Sequence, residues 1–165
     1  MEPIAMVEKI IEHLRFFPKD LIVFILSVLP ISELRGAIPA GLSMGIPLYK
    51  VFLISVIGNI LPVPFILIFL EPVSEYLRKF PAWKRFFDWL FERTKKKAGV
   101  IEKFEALGLC IFVAVPLPMT GAWSGCIAAS LFKIRFRYAF ISIALGVLLA
   151  GVIVTAVCLV AGAVL

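Results

Sequence analysis

Charge is scarce in this chain. Asp, Glu, Lys and Arg make up 17% of the 165 residues, against 62% hydrophobic residues and a mean hydropathy of +1.05. Soluble domains carry about a quarter charged and about half apolar residues, so this balance excludes an ordinary soluble globule and marks an integral membrane protein. Cysteine is scarce too. Cys110, Cys126 and Cys158 all lie in apolar runs, and an odd count without ligand-like spacing excludes a disulfide framework and a thiolate metal site. They read as small apolar packing residues. Histidine occurs once, as His13 on an amphipathic stretch, which leaves a histidine metal centre nothing to build on. No His/Asp/Glu cluster or Ser/His pair lies in the apolar segments, so no enzyme is indicated and no cofactor is called for. The opening residues "MEPIAMVEKIIEHLRFFPKD" are amphipathic and mixed in charge, not basic and then apolar, so no cleavable signal peptide is evident.

Long apolar runs are also few. A helix needs ~20 apolar residues to cross the hydrocarbon core. Residues 47–70 reach that length, with Pro62 and Pro64 placed to kink the helix, and residues 134–165 exceed it. Two other runs, 20–29 and 106–115, stop at Pro30 and Pro116. Ten helical residues rise only ~15 Å, about half the core. Each short run precedes a Pro/Gly-rich tip and a second short segment, "GAIPAGLSMGI" or "GAWSGCIAASLF". That pattern predicts a re-entrant hairpin, whose tip must be buried in protein or line a wet cavity.

The pattern occurs twice. "VLPISELRGAIPAGL" pairs with "AVPLPMTGAWSGCIA", and "YKVFLISVIGNIL" with "RYAFISIALGVLL", so that Pro30 falls opposite Pro116 and Gly58 opposite Gly146. The expected organisation is an N-terminal amphipathic segment (1–19) and repeat one (20–70), made of hairpin 20–46 and span 47–70. A polar linker (71–105) and repeat two (106–165), made of hairpin 106–132 and span 134–165, complete it. Each half crosses the membrane once, so the second half must be inserted upside down relative to the first. The face bearing the linker collects twelve basic residues between Arg78 and Arg137, and the other face collects Lys9, Arg15, Lys19 and Lys50. This asymmetry places the linker in the cytoplasm and both termini outside. The fold class is therefore all-α integral membrane: an inverted repeat of two re-entrant hairpins, each followed by a transmembrane helix, as in many secondary transporters. A net charge of +6 distributed in this way points to a membrane surface and not to nucleic acid.

Against that apolar background, "LPISELRGAIPAGL" (29–42) stands out, with Glu33 and Arg35 two positions apart. The second short helix of each hairpin is expected to start near the bilayer centre, with Gly36 and Gly121 at the two starts. Free N–H groups and positive dipole ends there would receive an anion, and Arg35 would strengthen the site. Glu33 would balance Arg35 or take up a proton, giving proton coupling. Each charge costs ~2.5–3.5 kcal/mol at the centre of an inserted helix, which makes a functional role the default. The bland alternative is a structural pair fixing the hairpin, or an Arg35 that snorkels to the headgroups. Asn59, mid-span, is expected to bond to a hairpin tip, and a substrate role is equally open. Ser32, Thr120 and Ser124 flank the tips and either satisfy broken backbone or donate to a ligand. Gly41/Gly45 and Gly121/Gly125 form GxxxG pairs suited to close helix packing.

Between the repeats, Tyr76, Leu77, Phe80, Trp83, Phe86, Phe87, Leu90 and Phe91 recur at helical spacing among basic residues. One aromatic face and one basic face describe a helix lying on an anionic leaflet, with its second part starting at Pro81.

"ISELRGAIPAGL" and "VPLPMTGAWSGC" resemble the two signature hairpins of the small multidrug export proteins, and the likeness runs from about residue 20 to the end. That family resembles in turn the DedA superfamily, which implies opposed re-entrant hairpins and transport of phosphate-bearing lipid carriers. DedA proteins carry arginines in the second hairpin, whereas "PLPMTGAWSG" has no charge, so Arg35 would act almost alone. The function expected is a membrane transporter or flippase for an anionic lipid or small amphiphile, with a midplane site at Glu33, Arg35, Gly36, Asn59, Thr120, Gly121 and Ser124. A drug exporter or a channel of two half-helix hairpins are the alternatives, and a channel would need a continuous polar lining. The hairpins leave much surface to cover, which suits a homodimer.

The linker reading makes a direct prediction. Replacing Trp83, Phe87 and Leu90 together with Ser should weaken binding of the isolated 74–98 peptide to anionic vesicles by at least tenfold, since each large apolar side chain contributes ~1.5–3 kcal/mol on burial. Unchanged binding in a vesicle-sedimentation assay would contradict an interfacial helix.

Overall fold

The computed structural model describes residues 17–77, 99–116, 120–132 and 134–164. Those residues form seven helices and no strand: α1 (Lys19–Val28), α2 (Glu33–Ser43), α3 (Leu48–Ile60), α4 (Val63–Leu77), α5 (Gly99–Ala114), α6 (Ala122–Leu131) and α7 (Phe136–Val164). His13, most of the N-terminal amphipathic segment and linker residues 78–98 lie outside the described residues. Two helical stretches are long and apolar enough to cross a membrane, Leu48–Leu70 and Phe136–Gly162. Only 33% and 28% of their apolar windows are buried within the protein, so both turn most of their apolar surface outward. A core helix of a soluble protein would do the opposite.

The chain forms two compact units, Met1–Leu61 with Leu148–Leu165, and Pro62–Val147. These are not the two sequence repeats, because the C-terminal part of α7 belongs to the first unit and α4 to the second.

In the first unit, α1 packs on both α2 and α3, and α2 packs on α3. Pro18 precedes α1 and Pro47 precedes α3, positions where a missing N–H costs nothing. α1 stops because Leu29 precedes Pro30. Its φ/ψ of −70°/136° is the extended conformation that a following proline enforces. α2 ends in a paired closure: the Gly45 N–H donates to Leu42 O at 2.9 Å and the Ile46 N–H to Gly41 O at 3.1 Å. Gly45 takes φ +77°, a conformation that favours glycine. At this end of the hairpin Lys19 Nζ donates to Met44 O at 2.7 Å and pairs the α1 start with the α2 end. Lys50 Nζ meets Asp20 Oδ2 at 2.6 Å, an exposed pair worth under ~1 kcal/mol.

In the second unit, α6 packs on α4 and on α5. α5 is 16 residues long, not the ten expected, because the polar stretch 99–105 joins the apolar run as helix. α4 likewise continues to Leu77, beyond the expected end of the span at residue 70, and the kink expected at Pro62 is a turn at Leu61–Pro62. α6 closes as α2 does: the Ile134 N–H donates to Ala129 O at 2.9 Å, the counterpart of Ile46 and Gly41.

Each unit seats a span glycine on its first short helix in the same way. A Cβ on Gly58 would collide with Ser27 Oγ and lie 3.1 Å from Phe24 O; one on Gly146 would lie 2.7 Å from Val113 Cβ and 2.8 Å from Cys110 O. Ser27 and Phe24 correspond in sequence to Val113 and Cys110. Burial follows the same register, with Val51, Ser55 and Asn59 fully buried on α3 and Ala139, Ile143 and Val147 fully buried on α7. The GxxxG expectation needs correction. A Cβ on Gly41 would lie 2.8 Å from the Val51 methyls and one on Gly125 2.7 Å from a Val113 methyl, but Gly45 lies in the turn with open space around it. Gly121 precedes α6 and is not part of it.

Two backbone carbonyls cannot move aside cheaply. Gly58→Ala and Gly146→Ala should therefore each destabilise the protein by ~1–3 kcal/mol through overpacking. Gly162, with nothing within 4 Å, is the control. Gly162→Ala should be neutral or stabilising by up to ~1 kcal/mol. Unfolding midpoints in mixed micelles measure all three, and an unshifted Gly58→Ala would contradict the contact.

Candidate functional site

The first hairpin turns at Leu29–Ser32, between two helices of ten and eleven residues. The backbone groups exposed by that break need partners if they are kept from water. Ser32 supplies one: its hydroxyl, buried, makes a short hydrogen bond to Leu26 O, a carbonyl near the C-terminus of α1. The Glu33 N–H donates back to Leu29 O at 2.9 Å. In the second unit Thr120, also buried, donates to Val115 O at 2.7 Å just past the end of α5. Ser124 Oγ accepts the Gly121 N–H at 2.9 Å, the side-chain half of a helix cap. All three hydroxyls thus serve broken backbone, which decides between the two uses expected of them as far as these contacts go.

α2 begins at Glu33, three residues earlier than expected. Gly36 is therefore inside the helix and does not open it. Its N–H already donates to Ser32 O at 2.8 Å, so the expected free donor is absent there. Gly121 does sit at its helix start, as expected. Glu33 is 8% exposed and holds φ +48°, the only non-glycine residue among those described with positive φ. An L-residue with a Cβ pays ~1–2 kcal/mol for that conformation, and strain of this kind concentrates at functional sites. Arg35, half-buried in the first turn of α2, interacts electrostatically with Glu33. A buried acid and a base therefore share one helix start, on a strained residue, at the turn of a half-length hairpin.

Asn59 does not bond to a hairpin tip. Its side chain is fully buried on α3, and neither Nδ2 nor Oδ1 has a hydrogen-bond partner. One turn earlier Ser55 Oγ is in the same condition, as is Thr155 Oγ1 on α7. Buried polar groups are nearly always paired, and each unpaired one costs ~1–3 kcal/mol. Ser55 and Thr155 escaped the sequence reading because a lone hydroxyl in a span usually bonds its own helix backbone. The i, i+4 spacing from Ser55 to Asn59 was the available signal.

The two units differ sharply in polarity at matching positions. By sequence pairing, Arg35, Ser55 and Asn59 in the first correspond to Gly121, Ile143 and Val147 in the second. Backbone frame and burial repeat, and charge and amide do not. Among the described residues no group of three His, Cys, Asp or Glu side chains could hold a metal ion.

No curated protein and no solved structure matches the chain. The model of one family, the small multi-drug export proteins, matches residues 33–153, a stretch that opens on Glu33 and runs from α2 into α7, taking in the second helix–turn–helix and both span glycines, Gly58 and Gly146. Covering well over half its length, that match shows that the chain belongs to the small multi-drug export protein family.

Proposed function

We propose that this membrane protein exports small amphiphiles whose anionic headgroup is received at the Glu33–Arg35 turn. The observation that carries the reading is the placement of a buried acid and a half-buried base on the strained first turn of α2. The helical frame does not call for charge there, since the matching stretch of the second repeat, residues 115–132, contains no charged residue. A cation held beside a positive helix end lowers the cost of bringing an anionic headgroup out of water. Glu33 keeps that cation compensated while the site is empty, and its protonation would release Arg35 to the substrate. In the finer form of the proposal the hairpins are re-entrant and inverted with respect to each other, and phosphate-bearing lipids are among the substrates. Family membership supports export in general.

Efflux of a fluorescent anionic amphiphile from proteoliposomes tests the reading. Arg35→Ala should abolish efflux, with Arg35→Lys recovering part of it. Glu33→Gln should retain binding and lose the pH dependence of transport. Glu33→Gly compared with Glu33→Gln separates strain from charge: both remove the carboxylate and proton coupling, and the glycine variant, which relieves the positive φ, should be the more stable of the two by ~1 kcal/mol. Active transport by a stable Arg35→Ala variant would contradict the proposal.

Topology is tested separately. A cysteine at Lys96 in a cysteine-free background should react only with a reagent on the cytoplasmic side, and one following Leu165 only from outside. Labelling of both from one side would end the inverted arrangement.

A further inference from the structure

Asn59 is the only side-chain amide in the chain, which has no other asparagine and no glutamine. It occupies the midpoint of the Leu48–Leu70 span, where a polar group is most costly. Its donor and its acceptor are both unpaired, and Ser55 Oγ, one helical turn away on the same buried face, is unpaired too. That face meets the hairpin: Val51 lies against Gly41, and Gly58 against Ser27 and Phe24. Ser27, whose hydroxyl donates to Phe24 O at 2.7 Å, bonds to neither of them. On the neighbouring face, Phe52 and Val56 receive Gly151 of α7, one turn before Thr155, whose hydroxyl is likewise unpaired.

Packing does not require these groups. At the matching positions of the second unit, Ile143 and Val147 are fully buried and fill the same register with hydrocarbon. The chain therefore contains an apolar solution to this packing problem and does not use it at Ser55 and Asn59. Unpaired polar groups kept at a cost to stability are the signature of a site whose partner is a guest.

We propose that Ser55 and Asn59 form a headgroup site for an amphiphile presenting a hydrogen-bond donor and acceptor side by side. A carboxamide offers an acceptor and a donor on adjacent atoms, so it pairs through two bonds with a P(=O)–OH, a protonated carboxylic acid or another amide. The Ser55 hydroxyl adds a third bond in either sense. Full burial disfavours a doubly charged guest, which selects the monoanionic form of a phosphate monoester. The proposal rests on the export reading only for the guest's apolar tail. The pairing chemistry is independent of Arg35.

The single asparagine makes the test clean. Protein labelled with 15N-asparagine in phosphatidylcholine nanodiscs gives one pair of side-chain amide proton signals, to be titrated with monododecyl phosphate at about pH 5, where the monoester carries one charge. Dodecanamide, a neutral donor–acceptor probe, and dodecane, a tail without a headgroup, complete the set. Both headgroup probes should shift the Asn59 pair saturably, and dodecane should not. Ser55→Ile should weaken monododecyl phosphate binding about tenfold. The double variant Ser55→Ile, Asn59→Val should lose the thermal stabilisation by either probe while unfolding at or above the wild-type temperature. Amide signals that neither probe moves would overturn the site, as expected if water alone occupies these positions. Signals moved by the phosphate and not by dodecanamide would overturn the paired recognition. A double variant that unfolds below the wild type, or keeps its probe-induced shift, would overturn it as well. If dodecanamide shifts the pair and monododecyl phosphate does not, the phosphate monoester is overturned as the guest, while failure of the export reading is seen separately in the efflux of the Arg35→Ala variant.

Discussion

The structure turns on where its short helices break and on how the backbone groups freed there are tied. A chain segment that stops helical pairing inside hydrocarbon must find partners for its freed carbonyls and N–H groups within the protein. Each break here is tied in a similar way, by a buried hydroxyl reaching back to the end of the preceding helix or just past it, Ser32 to Leu26 O and Thr120 to Val115 O. The far ends of the second helices are tied alike, through Ile46 to Gly41 and Ile134 to Ala129. Proline sets where the first helix stops, and the hydroxyl makes the stop tolerable. Once the turn is closed in this way, the two helices can lie side by side, and the glycine of the following span can seat on the first of them.

That frame is used twice with different side chains. In the second unit it is filled almost wholly with hydrocarbon and small residues. In the first it holds an acid, a base, an amide and a hydroxyl at positions the second unit leaves apolar or small. The comparison is internal to one chain, so differences of solvent or overall fold do not enter it. It separates residues needed to build the pattern, Ser32, Thr120, Gly58 and Gly146, from residues the pattern does not need. Glu33, Arg35, Ser55 and Asn59 fall in the second group, and each carries a cost in strain, burial or lost hydrogen bonds.

Much of the helical organisation was legible in the sequence because it rests on strong local signals. Pro30 and Pro116 mark the ends of the first helices, apolar length marks the spans, and the pairing of Gly58 with Gly146 anticipated two equivalent contacts. Boundaries that depend on polar residues were not legible. Gly99–Glu105 joins α5 although its composition reads as linker, because Glu and Lys are good helix formers when a helix continues beyond its apolar face. Gly36 looked like a helix start because glycine and proline cluster there, yet α2 begins three residues sooner, at a glutamate in a conformation usually left to glycine. Asn59 was visible as a mid-span amide, and its lack of a partner was not, since pairing depends on neighbours that local pattern does not reveal.

In the proposed re-entrant arrangement both breaks lie deep in the bilayer, so that the paired helices enter and leave from one side. Spin labels on single cysteines at Ile31 and at Phe17, in a cysteine-free background in lipid bilayers, report depth through relative accessibility to oxygen and to a water-soluble nickel chelate. In that arrangement Ile31, more than half exposed on the protein surface, is reached by oxygen and shielded from nickel, and Phe17 shows the reverse. A label at Ile31 as open to nickel as that at Phe17 would place the break in water and contradict that arrangement.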